Sequence, residues 1–161
     1  MVENEMGLVS PWTGRGQAVI ALDDGAQIEA KLREGHACGA RWAATHLDDR
    51  IALVEEVIRL AERDKASIAE LVTTQMGKPI SESLGEVATM LGRARMMTRF
   101  APDALRDEEI DGADGIRRLI VRQPLGLVLD IAAWNYPLLI AVNVFIPAVL
   151  AGNAVLLKHA S

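Results

Sequence analysis

The chain has 161 residues, 50% of them hydrophobic and 24% charged, and this ordinary globular mixture excludes a collagen-like, coiled-coil or disordered protein. Its 17 basic and 22 acidic residues give a net charge of −5 without a basic stripe, so nucleic acid is not expected as a partner. One cysteine, Cys38, excludes an intrachain disulfide and argues against a cysteine-based metal site.

The first part of the chain reads as a short extended piece followed by helices. No apolar signal segment precedes it, and we expect a cytoplasmic protein. The extended piece covers residues 8–14 and ends in a turn, and Asp24 is placed to cap a helix that runs towards Trp42. Apolar spacing then predicts a second helix that is substantially buried, with Leu47, Ile51, Val54, Ile58 and Ala61 on its face and Leu53, Val57 and Leu60 widening it.

Two more helices are predicted before the chain changes character. The third includes Ile68 to Met76 and stops at Gly77, because Gly takes a left-handed cap and the proline at 79 cannot continue the helix. The fourth is expected to begin at Ser81 or Ser83 and to end at Pro102. The acidic segment 103–115 reads as a solvated loop, and it closes a helical part over residues 1–115.

The rest of the chain is apolar and follows a strand period. A basic, β-branched run over 116–122 reads as an exposed strand, and with its turn it makes a second part over residues 116–126. Residues 127–132 and 154–158 read as short strands that flank a helix from near Pro137 to about Ala151. Together they form a third part over residues 127–161, one βαβ unit of a parallel sheet, so the predicted fold class is α/β.

Two polar residues follow these strands at the edge where parallel sheets bind ligands. The amide of Asn135 can donate to a developing oxyanion, although its position alone favours the role of a helix cap. Lys158 can reach a ribose hydroxyl or a phosphate, although its position alone favours a surface lysine. Cys38 reads as a small core residue, and the three histidines show no metal-ligand spacing.

Three blocks of the sequence resemble the aldehyde dehydrogenase superfamily. Residues 123–161, QPLGLVLDIAAWNYPLLIAVNVFIPAVLAGNAVLLKHAS, resemble its P-L-G-V turn, its P-W-N-F/Y-P loop and its A-G-N-x-V-V/L-K strand. MGKPISESLGEV at 76–87 and SPWTG at 10–14 resemble two earlier blocks, in the family's order. The resemblance implies an N-terminal helical region, an oligomerisation-arm strand at 116–122 that normally pairs with segments outside this chain, and the start of a Rossmann-like NAD(P)-binding domain. It also implies a homo-oligomer.

Members of this family oxidise an aldehyde to a carboxylic acid with NAD or NADP, using a cysteine nucleophile and a glutamate that activates water. The resemblance makes Asn135 the catalytic amide that stabilises the oxyanion. It places Ala133, Trp134 and Asn135 at the cofactor site, with Trp134 beside the nicotinamide, and makes Lys158 a contact of the adenosine ribose. Ser161 stands where many NAD-preferring members carry a glutamate, which indicates tolerance of, or preference for, NADP.

Two departures from the family pattern lie close to this loop. Ala133 replaces the usual proline, which predicts a less rigid loop. Asp130 lies inside the first strand, where glycine or an apolar residue is common, and it needs a partner if it faces inwards.

The resemblance covers about the first third of a family member. We therefore expect an inactive fragment with exposed strand edges and poor solubility, whose catalytic cysteine and glutamate lie further along. One alternative is a non-catalytic module that pairs with a full-length relative. Another, a membrane hairpin over 136–157, is disfavoured by the net charge and by two asparagines in the segment. The pairing of KHAS with WNYP is similar to members that oxidise semialdehydes.

Overall fold

The computed structural model describes residues 5–112 and 115–160. Within this part of the chain, helices and strands form three two-stranded sheets and a layer of packed helices. The helices are α1 (Gly25–Ala43), α2 (Leu47–Arg63), α3 (Lys65–Met76), α4 (Ile80–Leu105) and α5 (Pro137–Leu150). The strands are β1 (Glu5–Val9), β2 (Gly16–Ala21), β3 (Glu108–Ile110), β4 (Arg118–Ile120), β5 (Leu127–Ile131) and β6 (Ala154–Lys158).

The predicted α/β class and the βαβ unit are confirmed. Strands β5 and β6 pair in parallel, with Leu127 opposite Ala154 and Ile131 opposite Lys158, and α5 connects them. The starts of both strands match their predicted positions, and α5 begins with a proline in its first turn, where the missing N–H costs no helical hydrogen bond.

Two predicted helix ends are also confirmed. The Asp24 carboxylate accepts a hydrogen bond from the Gln27 N–H at 2.8 Å, and the Gln27 side chain accepts one from the Asp24 N–H at 2.9 Å. This reciprocal capping box starts α1. At the end of α3, Gly77 has φ 77°, the left-handed conformation that glycine adopts without steric cost.

The predicted bounds of the fourth helix are wrong. Helix α4 begins at Ile80, ahead of Ser81 and Ser83, and it continues through Pro102 to Leu105. Ser83 is buried, and its hydroxyl bonds the Thr73 hydroxyl at 2.9 Å, so it joins α3 to α4 instead of capping a helix. Pro102 lies in the last turn, where it removes one N–H bond from a helix that is already ending.

Two strands were missed by the sequence analysis. Strand β2 pairs antiparallel with β1, and β3 occupies part of the segment that was predicted to be a loop. Strand β4 is shorter than the predicted run of 116–122 and pairs with β3 inside this chain. Its pairing with segments outside this chain stays a prediction. Ion pairs flank this second hairpin, Arg117–Glu109 at 3.2 Å and Arg122–Glu108 at 3.1 Å.

The hydrophobic core lies where α4 packs against α2, α3 and α5. Helix α2 buries a narrower stripe than predicted, since Leu53 and Val57 remain 48% and 41% exposed. The buried cluster consists of Val54, Ile58, Ala69, Val87, Leu91, Ala94, Ala101, Val142, Ile146 and Leu150.

Helix α1 covers the βαβ unit through a close approach of two backbones. A Cβ atom at Gly39 would lie 2.6 Å from the carbonyl oxygen of Gly126, which itself accepts a hydrogen bond from the Ala154 N–H at 2.8 Å. The indole N–H of Trp42 donates to the Val149 carbonyl at 2.9 Å. The absence of a side chain at Gly39 therefore lets α1 pack directly against the backbone of the sheet.

Gly39→Ala is expected to destabilise the protein by about 1–3 kcal/mol, because the added methyl group overpacks the contact with Gly126. Gly92→Ala is the matched control, since it lies inside α4 and the added carbon would meet no described atom within 4 Å apart from the neighbouring backbone of its own helix. Alanine there should stabilise the helix by about 1 kcal/mol. Urea denaturation followed by circular dichroism measures the free energy of unfolding of both variants. Equal changes in the two variants would contradict this packing.

Candidate functional site

The candidate site lies at the carboxyl edge of the parallel strand pair. Ile131 ends β5 opposite Lys158, which ends β6, and the Ala132 N–H donates to the Lys158 carbonyl at 3.0 Å. The chain then passes through a loop over residues 132–136 before α5 begins. This edge is the position at which parallel α/β sheets bind ligands.

The structure brings most of the predicted site residues to this edge. Ala133, Trp134 and Asn135 lie together in the loop and are exposed, with Trp134 at 68% exposure. Lys158 is exposed at the end of the adjacent strand. Ser161 lies outside the described residues.

Asn135 does not cap α5, so the role that position alone favoured is wrong. The N-cap residue is Tyr136, whose side chain makes no capping hydrogen bond. Among the described residues, Asn135 takes part in hydrogen bonding through its backbone carbonyl, which accepts from Lys78 Nζ at 3.3 Å, and its side-chain amide makes no hydrogen bond. The amide therefore keeps its two N–H donors for a ligand.

A buried carboxylate from another helix caps α5 instead. The side chain of Glu86 on α4 is 0% exposed, and its Oε1 accepts hydrogen bonds from the N–H groups of Leu138 at 2.9 Å and Leu139 at 3.3 Å. Its Oε2 lies 2.6 Å from Lys78 Nζ. Neither Lys78 nor Glu86 was predicted as a site residue from the sequence, although both belong to the MGKPISESLGEV block.

Lys78 links this buried carboxylate to the loop. Its ammonium also lies 4.1 Å from the centre of the Tyr136 ring, a cation–π distance. The N–H groups at the start of a helix can bind a phosphate, but at α5 two of them are occupied by Glu86. A bound phosphate group is therefore not expected at this helix terminus.

The chemistry of the side chains at the edge fits a dinucleotide. Lys158 offers an ammonium to sugar hydroxyls, Trp134 offers an exposed aromatic surface, and Ala132 and Ala133 leave the edge unobstructed. Asn135 adds an uncharged donor beside them.

Asp130 faces inwards next to this loop, and none of the described residues gives it the partner that an inward carboxylate needs. It is 3% exposed, and its Oδ2 atom makes no hydrogen bond. Burial raises the pKa of the Asp130 carboxyl above its usual range, because the interior disfavours the charged form.

Cys38 lies away from this edge. It lines a cavity between α1, α2 and α5 together with Asn153 and Ala154, which lie at the amino end of β6. Its sulfur accepts a hydrogen bond from Arg41 at 3.0 Å, and the residue is partly exposed, so the prediction of a buried core residue is wrong.

Neither a metal centre nor a membrane span is found in residues 5–112 and 115–160. No group of three or more potential metal ligands occurs there. No helix of that part combines the length and the hydropathy that crossing a bilayer requires.

Comparison with known proteins gives one consistent result. The model of the aldehyde dehydrogenase family matches residues 2–161. Succinate-semialdehyde dehydrogenase (NADP(+)) of Deinococcus radiodurans is 29% identical over 157 residues, which cover 98% of this chain and 33% of the relative. Succinate semialdehyde dehydrogenase (NAD(P)+) of Escherichia coli is 30% identical over 152 residues, which cover 94% of this chain and 33% of the relative.

A solved structure agrees with these relatives. Succinic semialdehyde dehydrogenase from Streptococcus pyogenes, in complex with NADP+, superposes with a TM-score of 0.89 at 26% identity, covering 96% of this chain and 34% of that one. The chain thus spans about a third of the length of the curated relatives it matches.

Asp130→Asn is expected to stabilise the protein at neutral pH by roughly 1–2 kcal/mol, because the uncharged amide avoids the cost of a buried, unpaired charge. Since the folded pKa is raised, the wild type loses stability as the pH rises from the usual aspartate range through that pKa. The stability gained by Asp130→Asn should therefore decrease as the pH falls. Urea titrations at several pH values measure it, with the exposed Asp107→Asn as control. A gain that is constant with pH would contradict the assignment.

Proposed function

The chain belongs to the aldehyde dehydrogenase family, and we propose that it forms the N-terminal part of an enzyme that oxidises an aldehyde to a carboxylic acid with NAD or NADP. The observation that carries this proposal is the placement of Asn135 and Lys158 at the same carboxyl edge of the βαβ unit. A donor for the reacting oxygen and a donor for the cofactor then lie on adjacent strand ends.

Asn135 acts on the aldehyde oxygen in this proposal. When a nucleophile adds to an aldehyde, the carbonyl oxygen gains negative charge, and a fixed amide donor stabilises that charge more than it stabilises the neutral carbonyl. Because Glu86 caps α5, Asn135 is released from capping and its amide can serve the substrate.

Lys158, Trp134 and Ala133 hold the dinucleotide, and when bound it supplies the acceptor for the hydride. We place the ribose hydroxyls near Lys158 and the nicotinamide near Trp134. Ser161 adds neither the charge nor the bulk that would exclude a 2′-phosphate, so we propose that NADP is tolerated or preferred. The Streptococcus pyogenes enzyme, whose structure was solved with NADP+, is in keeping with this proposal.

The nucleophilic cysteine and the water-activating glutamate are proposed for a region outside this chain. Cys38 is held at the amino end of β6 by α1, whereas Asn135 follows the carboxyl end of β5, so the two cannot act on one carbonyl group. As substrate we propose a semialdehyde, since the relatives from two bacteria carry that substrate in their names.

A second candidate is a non-catalytic role in which the chain pairs with a full-length relative. Leu129 and Ile131 on β5 and Leu157 on β6 are 58%, 67% and 46% exposed, and such an apolar surface favours burial against another protein segment. The same surface fits the homo-oligomer that we propose for the complete enzyme.

Asn135→Ala is expected to lower kcat about 100- to 1,000-fold in a full-length polypeptide that includes this chain, because it removes one oxyanion donor. The KM for the dinucleotide should change little. Asn143→Ala, at an exposed position on α5, is the matched control and should keep kcat. Formation of NAD(P)H, followed by absorbance, measures both.

Two results would contradict the assignment. One is a full kcat in Asn135→Ala. The other is NAD(P)H formation by the 161-residue chain alone, which would show that the nucleophile lies within it.

Ser161→Glu is expected to weaken NADP binding at least tenfold while NAD binding is kept, because the added carboxylate repels the 2′-phosphate and can bond the ribose hydroxyls. Isothermal titration of both dinucleotides against the wild type and Ser161→Glu measures the change. Ser161→Gln, which matches the size of glutamate without its charge, is the control. An unchanged ratio of the two affinities would remove Ser161 from the cofactor site.

A further inference from the structure

We infer that Lys78 and Glu86 form a positioning pair that orients the loop of Asn135, a role that rests on the proposed function of Asn135. Neither residue belongs to the candidate site itself, and neither follows a strand of the βαβ unit. Both come from the helical layer, Lys78 from the turn between α3 and α4 and Glu86 from α4.

The first turn of α5 has N–H groups that no neighbouring residue in the sequence caps. No acidic residue occurs in its first turn, Tyr136 provides no side-chain cap, and Pro137 has no N–H to offer. The N–H groups of Leu138 and Leu139 remain, and Glu86 Oε1 accepts both. A carboxylate at this end is also favoured by the helix dipole. The position of α5 is therefore tied to α4.

Lys78 connects Glu86 to the loop residues Asn135 and Tyr136. Its ammonium lies 2.6 Å from Glu86 Oε2, donates to the Asn135 carbonyl at 3.3 Å, and lies 4.1 Å from the Tyr136 ring centre. The pair thus contacts the backbone of Asn135, the side chain of the next residue and the first turn of α5. These contacts restrict the backbone from which the Asn135 amide projects.

The pair is itself held rigidly. The Glu86 side chain is fully buried and that of Lys78 is 11% exposed. The turn before Lys78 is closed by the left-handed Gly77, and the Thr73–Ser83 bond joins the helices on either side. A buried ion pair keeps its geometry better than a solvated one, because water and salt screen its charges less.

Lys78 and Glu86 touch neither substrate nor cofactor in this account, so they are positioning residues. A misplacement of a catalytic group by about 1 Å can cost roughly 100-fold in rate, so a loss of the pair should lower kcat while substrate binding is largely kept. A purely structural ion pair would instead change global stability without a local effect on the loop.

Hydrogen exchange followed by mass spectrometry, on a full-length polypeptide that includes this chain, separates these roles. In Lys78→Met we expect at least tenfold faster exchange of the Ala132 and Ile140 N–H groups, which are hydrogen-bonded on either side of the loop, with unchanged exchange in the core of α2. Glu86→Gln keeps an acceptor for the Leu138 N–H but loses the charge that fixes Lys78. Exchange should then rise at the Ala132 and Ile140 N–H groups and stay slow at the Leu138 N–H. Glu82→Gln, one turn earlier on α4 and exposed, is the matched control.

The kinetic readout accompanies the exchange. Lys78→Met should lower kcat roughly 10- to 100-fold with a nearly unchanged KM for the dinucleotide, and Lys78→Arg, which keeps the charge, should recover part of the loss. Unchanged exchange in the loop, or exchange that rises equally in α2, overturns the inference. A faster-exchanging loop with an unchanged kcat overturns it as well.

The test distinguishes this inference from the proposed function. An inactive wild-type polypeptide would count against the dehydrogenase proposal, while the exchange pattern would still report on the loop. A large effect of Asn135→Ala without any effect of Lys78→Met would leave the function in place and remove the positioning pair.

Discussion

The first turn of α5 carries two N–H groups that its own loop leaves without a partner, and the architecture around the candidate site follows from how they are satisfied. A single carboxylate from α4, buried in the helical layer, accepts both. A cation offsets the cost of burying that carboxylate, and Lys78 supplies it from the neighbouring turn. Ionic and hydrogen-bond contacts thereby connect the helical layer to the βαβ unit beside the candidate catalytic residue. They add to the apolar contacts of α4 with α5.

Two buried carboxylates near this loop differ in how their negative charge is compensated. Glu86 has two N–H donors and an ammonium, so its charge is compensated on both oxygens. Asp130 has an oxygen to which no residue in the described part of the chain donates a hydrogen bond, and burial raises the pKa of its carboxyl. Glu86 therefore stabilises the loop, whereas the uncompensated charge of Asp130 lowers the free energy of unfolding at neutral pH.

The sequence was sufficient for features that depend on local patterns. The helix cap at Asp24, the left-handed stop at Gly77 and both parallel strands arise from residue types at fixed spacings, and all were confirmed. Features that depend on distant residues were missed. The extension of α4 past Pro102 depends on packing in its last turns, since Ala101 is buried in the core. The cap of α5 comes from Glu86, 52 residues earlier than Leu138, so position alone wrongly favoured Asn135 as the cap. The division of the chain at residues 115 and 126 stays a prediction.

The central claim is that Lys78 acts on catalysis through Asn135. A double-mutant cycle on kcat, with Lys78→Met and Asn135→Ala alone and combined in a full-length polypeptide that includes this chain, tests it most directly. If Lys78 acts by orienting Asn135, its removal has no further effect once the amide is gone, and the double variant should match Asn135→Ala. Losses that multiply in the double variant would contradict the account, because the two residues would then act independently.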